Sequence, residues 1–100
     1  MATSQDVDYS VRDHTAWLAM NRPGVLNALS KGMFRGLELA LASASSDPAV
    51  HSIVIRGEGR AFSAGLDVKE VSGFATQKEA RDFVYRLVKP FWERFFECEK

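Results

Sequence analysis

The sequence predicts an α/β fold, and three observations carry that prediction. Apolar and polar residues alternate near the start. A stretch with apolar residues at helical spacing follows, bracketed by a serine and a proline. A β-branched run, Ile53-Val54-Ile55, then leads into a turn of small residues. Val7, Tyr9 and Val11 alternate with polar neighbours and define a first strand, Val7 to Arg12. Asp13-His14 reads as a hairpin turn. Thr15 to Met20 is a second strand, apolar enough to be buried on both faces. Asn21-Arg22-Pro23-Gly24 interrupts it. A helix is expected from Ser30 to about Ser45, with the Ser30 hydroxyl capping its first turn and Met33, Leu37, Leu41 and Ala44 forming its buried face. Ser46-Asp47-Pro48 ends it, because a residue before proline avoids the helical region.

Val50 to Arg56 is the third strand. Gly57-Glu58-Gly59 turns the chain, and Phe62 restarts extended structure. A short helix is expected to begin near Leu66–Asp67 and to end at Ser72-Gly73. Thr76 and Glu79 have capping-box spacing and open a last helix, in which Phe83, Leu87, Phe91 and Phe95 recur every four residues beside Val84 and Val88. Pro90 interrupts that pattern and predicts a kink or a restart, at a cost of about 3 kcal/mol unless packing compensates. This helix needs a partner surface that three strands and two main helices do not supply. The expectation is a piece of a larger domain, or a chain that assembles with copies of itself, exposing apolar surface from Phe91, Trp92, Phe95 and Phe96.

Composition excludes several functions. The chain has 100 residues, 46% hydrophobic and 26% charged, as ordinary globular domains do. Its 13 basic and 13 acidic residues cancel, which disfavours a nucleic-acid partner. The longest apolar run is Ala16 to Met20, whereas a membrane span needs about 20 residues. The first residues lack the features of a secretory or transit peptide. Cys98 is the single cysteine and reads as a semi-buried apolar residue, which suits a reducing compartment and a cytoplasmic location.

The reactive-residue motifs are weak. Gly57-x-Gly59 follows a strand, but Phe62 stands where a dinucleotide fingerprint needs its third glycine. Asp67 and Glu70 share a helical face suited to acid–base work, yet an acidic residue at 67 is better explained as stabilising a helix N-terminus. His14 and His51 have no metal-ligand spacing, so no metal is expected. Gly59 to Lys69 is the informative segment. A strand ending in the small residues Ser63-Ala64-Gly65 ahead of a helix leaves backbone N–H groups outward, able to hold an anion or a developing oxyanion.

Two segments together, Asn21 to Leu29 and Gly59 to Lys69, resemble the crotonase family of enoyl-CoA hydratases and isomerases. The first is similar to its "NRP-x-x-x-NAL" pattern and the second to "G-x-G-x-AF-x-AG-x-D", with a helix-sized gap between them. The resemblance covers the chain from about Val7 to its end. It implies the repeated β-β-α superhelix of the crotonase-like (ClpP/crotonase) fold, with only the opening units present in residues 1–100 as part of a single domain that stops before the second half of the active site.

It also implies an acyl-CoA thioester substrate whose carbonyl sits between two backbone N–H groups, the first from Leu66. Coenzyme A contacts are implied for Val25 and Ala28 on one segment and for Ala64, Gly65, Leu66, Asp67 and Val68 on the other, with Lys69 supplying charge. Gly24 stands where many relatives carry a basic residue. Coenzyme A enters as part of the substrate, no tightly bound cofactor is implied, and the full-length assembly is a trimer or hexamer. The family's second donor and its acid–base carboxylates lie beyond residue 100, so hydration, isomerisation, thioester hydrolysis, dehalogenation and ring synthesis all stay open. A crotonase-like binding or scaffold protein without catalysis is the alternative.

Overall fold

The computed structural model describes residues 6–67, 73–74 and 76–100. β1 (Val7–Arg12) and β2 (Thr15–Met20) form an antiparallel hairpin with Val7 opposite Met20 and Arg12 opposite Thr15. Its two loop residues, Asp13 and His14, have φ of 51° and 65°. Both angles fall in the left-handed region, the turn geometry whose twist matches paired strands. His14 is held there by donating from Nδ1 to the Ala49 carbonyl at 2.9 Å and by stacking on His51 at 4.4 Å between centroids.

Parallel neighbours need a crossover, and α1 (Lys31–Ser46) provides it. The Ser30 hydroxyl accepts a hydrogen bond from the Met33 N–H at 3.2 Å, so the expected cap is present and the helix starts one residue later than its cap. Met33, Leu37, Leu41 and Ala44 are all buried, joined by Phe34 and Ala40. At the far end Lys100 Nζ donates to the carbonyls of Ala44 (3.0 Å) and Asp47 (2.7 Å), a cation where the helix leaves carbonyls unpaired. β3 (Ser52–Gly57) runs parallel to β2, giving the order β1-β2-β3 with Thr15 opposite Ser52 and Met20 opposite Gly57.

Two strand expectations are corrected. β2 is not buried on both faces throughout: Ala16 is buried between half-buried Thr15 and Trp17, and only its last three residues, Leu18, Ala19 and Met20, are buried in succession. One face of the sheet carries α1, and the core forms there. The ladder of β3 starts at Ser52, two residues after Val50, which is instead buried as a core residue ahead of the strand. No residue of β3 is fully buried.

The C-terminal helices close the core. The Thr76 hydroxyl accepts from the Glu79 N–H at 3.1 Å and starts α2 (Gln77–Phe83). A wide π turn, Val84–Val88, then leads directly into α3 (Lys89–Glu97), and the Lys89 N–H reaches back five residues to the Val84 carbonyl. The kink or restart expected at Pro90 takes the form of a widened turn in a continuous helical path. That turn shifts the hydrogen-bond register just ahead of Pro90, which falls in the first turn of α3, where a missing N–H matters least. It also shifts the apolar face.

Phe83 and Phe91 are buried and pack edge-to-face on Phe34 at 5.9 and 5.8 Å, whereas Val84 and Phe95 turn outward. Of the four residues expected to be exposed, Trp92, Phe95 and Phe96 are, and Phe91 is not, because Phe34 and α1 cover it. Phe34 thus joins α1 to both C-terminal helices. Phe34→Ala is expected to lower the unfolding free energy by about 3–5 kcal/mol in urea titration, through lost burial and the cavity left behind. Val11→Ala, on an exposed strand position, should leave it nearly unchanged.

Candidate functional site

In open α/β sheets, ligands bind beyond the carboxyl ends of parallel strands. Here β2 and β3 both end at the same edge of the molecule, Met20 opposite Gly57, and each runs into one of the two segments singled out in the sequence. After β2 the chain makes a short 3-10 turn, Pro23–Val25, and then places Leu26 and Asn27 at φ of 54°. Asparagine tolerates the left-handed region, but Leu26 is strained there, and such strain persists only where the surroundings hold it.

Asn27 does the holding. It is fully buried. Its Oδ1 accepts from the Arg22 N–H at 2.7 Å, and its Nδ2 donates to the carbonyls of Glu58 (2.9 Å) and Ala61 (3.0 Å). Its own N–H donates to the Arg22 carbonyl at 2.8 Å, and its carbonyl accepts from the Ser63 hydroxyl at 2.8 Å. One side chain therefore joins the loop after β2 to the loop after β3. Gly57 is required for that approach: a Cβ there would run into the carbonyls of Phe62 and Ala61 and come within 2.8 Å of Asn27 Nδ2.

The second loop is not the extended strand expected at Phe62, which sits in a bend with its ring exposed. Extended pairing begins later, where Leu66 forms a single parallel bridge with Leu29. The Leu29 N–H donates to the Gly65 carbonyl at 2.7 Å, and the Asp67 N–H donates to the Leu29 carbonyl at 3.1 Å. Ala64 N–H donates to Leu26 O at 2.8 Å, and Gly65 N–H to the Ser63 hydroxyl at 3.1 Å. Backbone groups alternate in direction along an extended chain, so the Leu66 N–H faces away from Leu29. Of the four N–H groups from Ala64 to Asp67, it alone has no acceptor among the described residues. Leu66 itself is 51% exposed. Gly65, at φ 97°, supplies the backbone reversal just before it, a conformation L side chains rarely adopt.

The structure brings Ala28, Ala64, Gly65, Leu66 and Asp67 together at this edge, with Ala28 buried and Val25 exposed on its rim. Val68, Lys69 and Glu70, with the short helix expected up to Ser72, lie outside the described residues. The helix N-terminus that the Asp67 carboxylate was expected to serve lies outside the described residues; the carboxylate accepts from Arg22 Nη1 at 3.2 Å. The same nitrogen donates to the Ala28 carbonyl at 3.1 Å. Arg22 and Asn27 both stand in the sequence pattern, yet neither was read as part of the site. The available signal was a polar residue flanked by apolar ones at Leu26-Asn27-Ala28, where burial demands partners.

A fully apolar cavity of about 200 Å³ lies directly beneath, between Leu29, Phe62 and Ser63 of the loops and Phe91, Trp92 and Phe95 of α3. A larger groove, about 600 Å³, lies elsewhere, between Lys31 and Arg35 of α1 and Asp82 and Arg86 of the C-terminal helices. Among the described residues no group of three or more His, Cys, Asp or Glu is placed to hold a metal, and no helix is long and apolar enough to cross a membrane.

Residues 15–99 match the family model described as enoyl-CoA hydratase/isomerase. The chain belongs to the enoyl-CoA hydratase/isomerase family. It is 37% identical over 86 residues to a protein of Rhizobium meliloti named "Probable enoyl-CoA hydratase", covering 83% of this chain and 31% of that one. It is 43% identical over 60 residues to the mitochondrial enoyl-CoA hydratase of Pongo abelii, covering 60% and 21%. The crystal structure of an enoyl-CoA hydratase/isomerase from Xanthobacter autotrophicus Py2 superposes with a TM-score of 0.88 at 29% identity, over 98% of this chain and 37% of that one. The fold is therefore crotonase-like, and the chain spans between a fifth and two fifths of the length of these relatives.

The network at Asn27 gives a direct test of the site's construction. Asn27→Asp keeps the shape but sets an acceptor oxygen against the Glu58 and Ala61 carbonyls. It is expected to lose about 2–4 kcal/mol in urea unfolding and to raise hydrogen exchange at the Ala64 amide.

Proposed function

We propose that this edge forms part of the acyl-CoA site of an enoyl-CoA hydratase or isomerase, with the Leu66 N–H donating to the thioester carbonyl oxygen. The Leu66 N–H, without an acceptor among the described residues and on a loop braced at both neighbours, is the observation that carries the reading. Hydrating an enoyl thioester or moving its double bond develops negative charge on that oxygen, and a fixed donor lowers the barrier because it does not reorganise as charge appears. In this reading Val25 and Ala28 line the pantetheine route. Ala64, Gly65 and Asp67 border the adenine end through main chain, with Val68 and Lys69 beside them. Coenzyme A arrives as part of the substrate, without a tightly held cofactor. The full-length enzyme works as a trimer or hexamer in the cytoplasm.

The test is a titration with acetoacetyl-CoA, whose enolate mimics the developing charge, against free coenzyme A. The thioester is expected to bind about tenfold tighter or more, the worth of one charge-assisted hydrogen bond. Leu66→Pro removes the N–H together with the side chain and should abolish that advantage, while Leu66→Ala, which changes the side chain and keeps the N–H, retains it. Equal binding of the two ligands by the unaltered chain overturns the reading.

A further inference from the structure

We propose that Arg22 is a positioning residue for the Leu66 N–H, a proposal that rests on the reading of Leu66 given above. The bridge that orients Leu66 is short. It consists of two hydrogen bonds, Leu29 N–H to Gly65 O and Asp67 N–H to Leu29 O, at 2.7 and 3.1 Å. Gly65 precedes Leu66 at φ 97°, and glycine offers little resistance to rotation there. Two bonds and a pliant residue are a weak frame for a donor whose misplacement by about 1 Å costs on the order of a hundredfold in rate.

Arg22 supplies the missing restraint. Its Nη1 carries two protons and has two acceptors: the Ala28 carbonyl at 3.1 Å and Asp67 Oδ2 at 3.2 Å. Ala28 precedes one partner of the bridge and Asp67 follows the other, so one planar nitrogen clamps both sides of it. The ion pair is shielded, the two side chains being 25% and 15% exposed, so solvent screens it less than a surface pair. The clamp has a fixed base as well. The Arg22 N–H donates to Asn27 Oδ1, and its carbonyl accepts from the N–H groups of Val25 (3.1 Å) and Asn27 (2.8 Å). Rigidity therefore passes from buried Asn27 through the Arg22 backbone and guanidinium to the residue after Leu66.

The experiment uses butyryl-CoA labelled with ¹³C at the thioester carbonyl, which cannot be hydrated. Its carbonyl resonance moves downfield when a donor polarises the C=O. The unaltered chain should produce that displacement. Arg22→Met should lose most of it with little change in affinity for free coenzyme A. Arg22→Lys should recover part, since an ammonium replaces the charge but not the planar fork. If Arg22→Met does not fold, Asp67→Asn, which leaves the bond to Ala28 in place, must show a partial loss. A full displacement in folded Arg22→Met or Asp67→Asn overturns the positioning role and leaves the Leu66 reading standing. No displacement in the unaltered chain overturns both. A loss that tracks thermal stability and coenzyme A affinity in step across all variants marks Arg22 as serving the fold alone and also overturns the proposal.

Discussion

Everything at the carboxyl edge of the sheet hangs on the side chain of Asn27. Its amide spans the gap between two loops that share no regular secondary structure, and it satisfies an N–H on one and two carbonyls on the other. A carboxamide is the one short side chain with both a carbonyl acceptor and two donor protons. A buried polar group of this kind stabilises strongly when fully paired and is expensive when it is not. That asymmetry holds Leu26 and Asn27 in the left-handed region and lets Ser63 reach the Asn27 carbonyl.

The sheet and α1 set the stage for that contact. Because β2 and β3 are parallel and in register to Met20 and Gly57, their following loops leave the sheet side by side. The Glu58 N–H then donates to the Met20 carbonyl at 2.8 Å, which extends the strand pairing by one step into the loops. α1 fills the connection, and its buried face of Met33, Phe34, Leu37, Ala40, Leu41 and Ala44 fixes where its first turn stands relative to Leu29. The site is mostly backbone, and a backbone site can be only as rigid as the packing behind it. Phe34, through Phe83 and Phe91, connects that packing to the C-terminal helices.

The C-terminal helices show how packing overrides a local rule. Pro90 in a four-residue apolar repeat argues for a kink or a restart. A π turn over Val84–Val88 absorbs the conflict, and the path continues into α3. The repeat is then read on a shifted face: Phe83 and Phe91 enter the core, and Phe95 leaves it. Trp92, Phe95 and Phe96 form an aromatic patch on the outer side, Trp92 stacking on Phe96 and both meeting Phe95 edge-to-face, with centroids 5.5 to 5.9 Å apart.

Local terms made much of this legible in the sequence. The alternation of Val7, Tyr9 and Val11, the two-residue turn at Asp13-His14, the Ser30 cap and the spacing of Met33, Leu37, Leu41 and Ala44 each depend on neighbours within a few residues. All four features appear in the fold. The turn of small residues at Ser63-Ala64-Gly65 after a strand was also readable, and Gly65 takes the left-handed φ that such a turn uses. Which N–H is left without an acceptor among the described residues was decided by tertiary structure. Ala64 and Gly65 lose theirs to Leu26 and Ser63, and Asp67 loses its own to Leu29. The contacts that hold the site, Asn27 to Glu58 and Ala61 and Arg22 to Asp67, join residues 31, 34 and 45 positions apart. No local propensity encodes such pairs. They exist because parallel pairing of β2 with β3 brings two distant loops to one edge, where buried donors and acceptors must find each other.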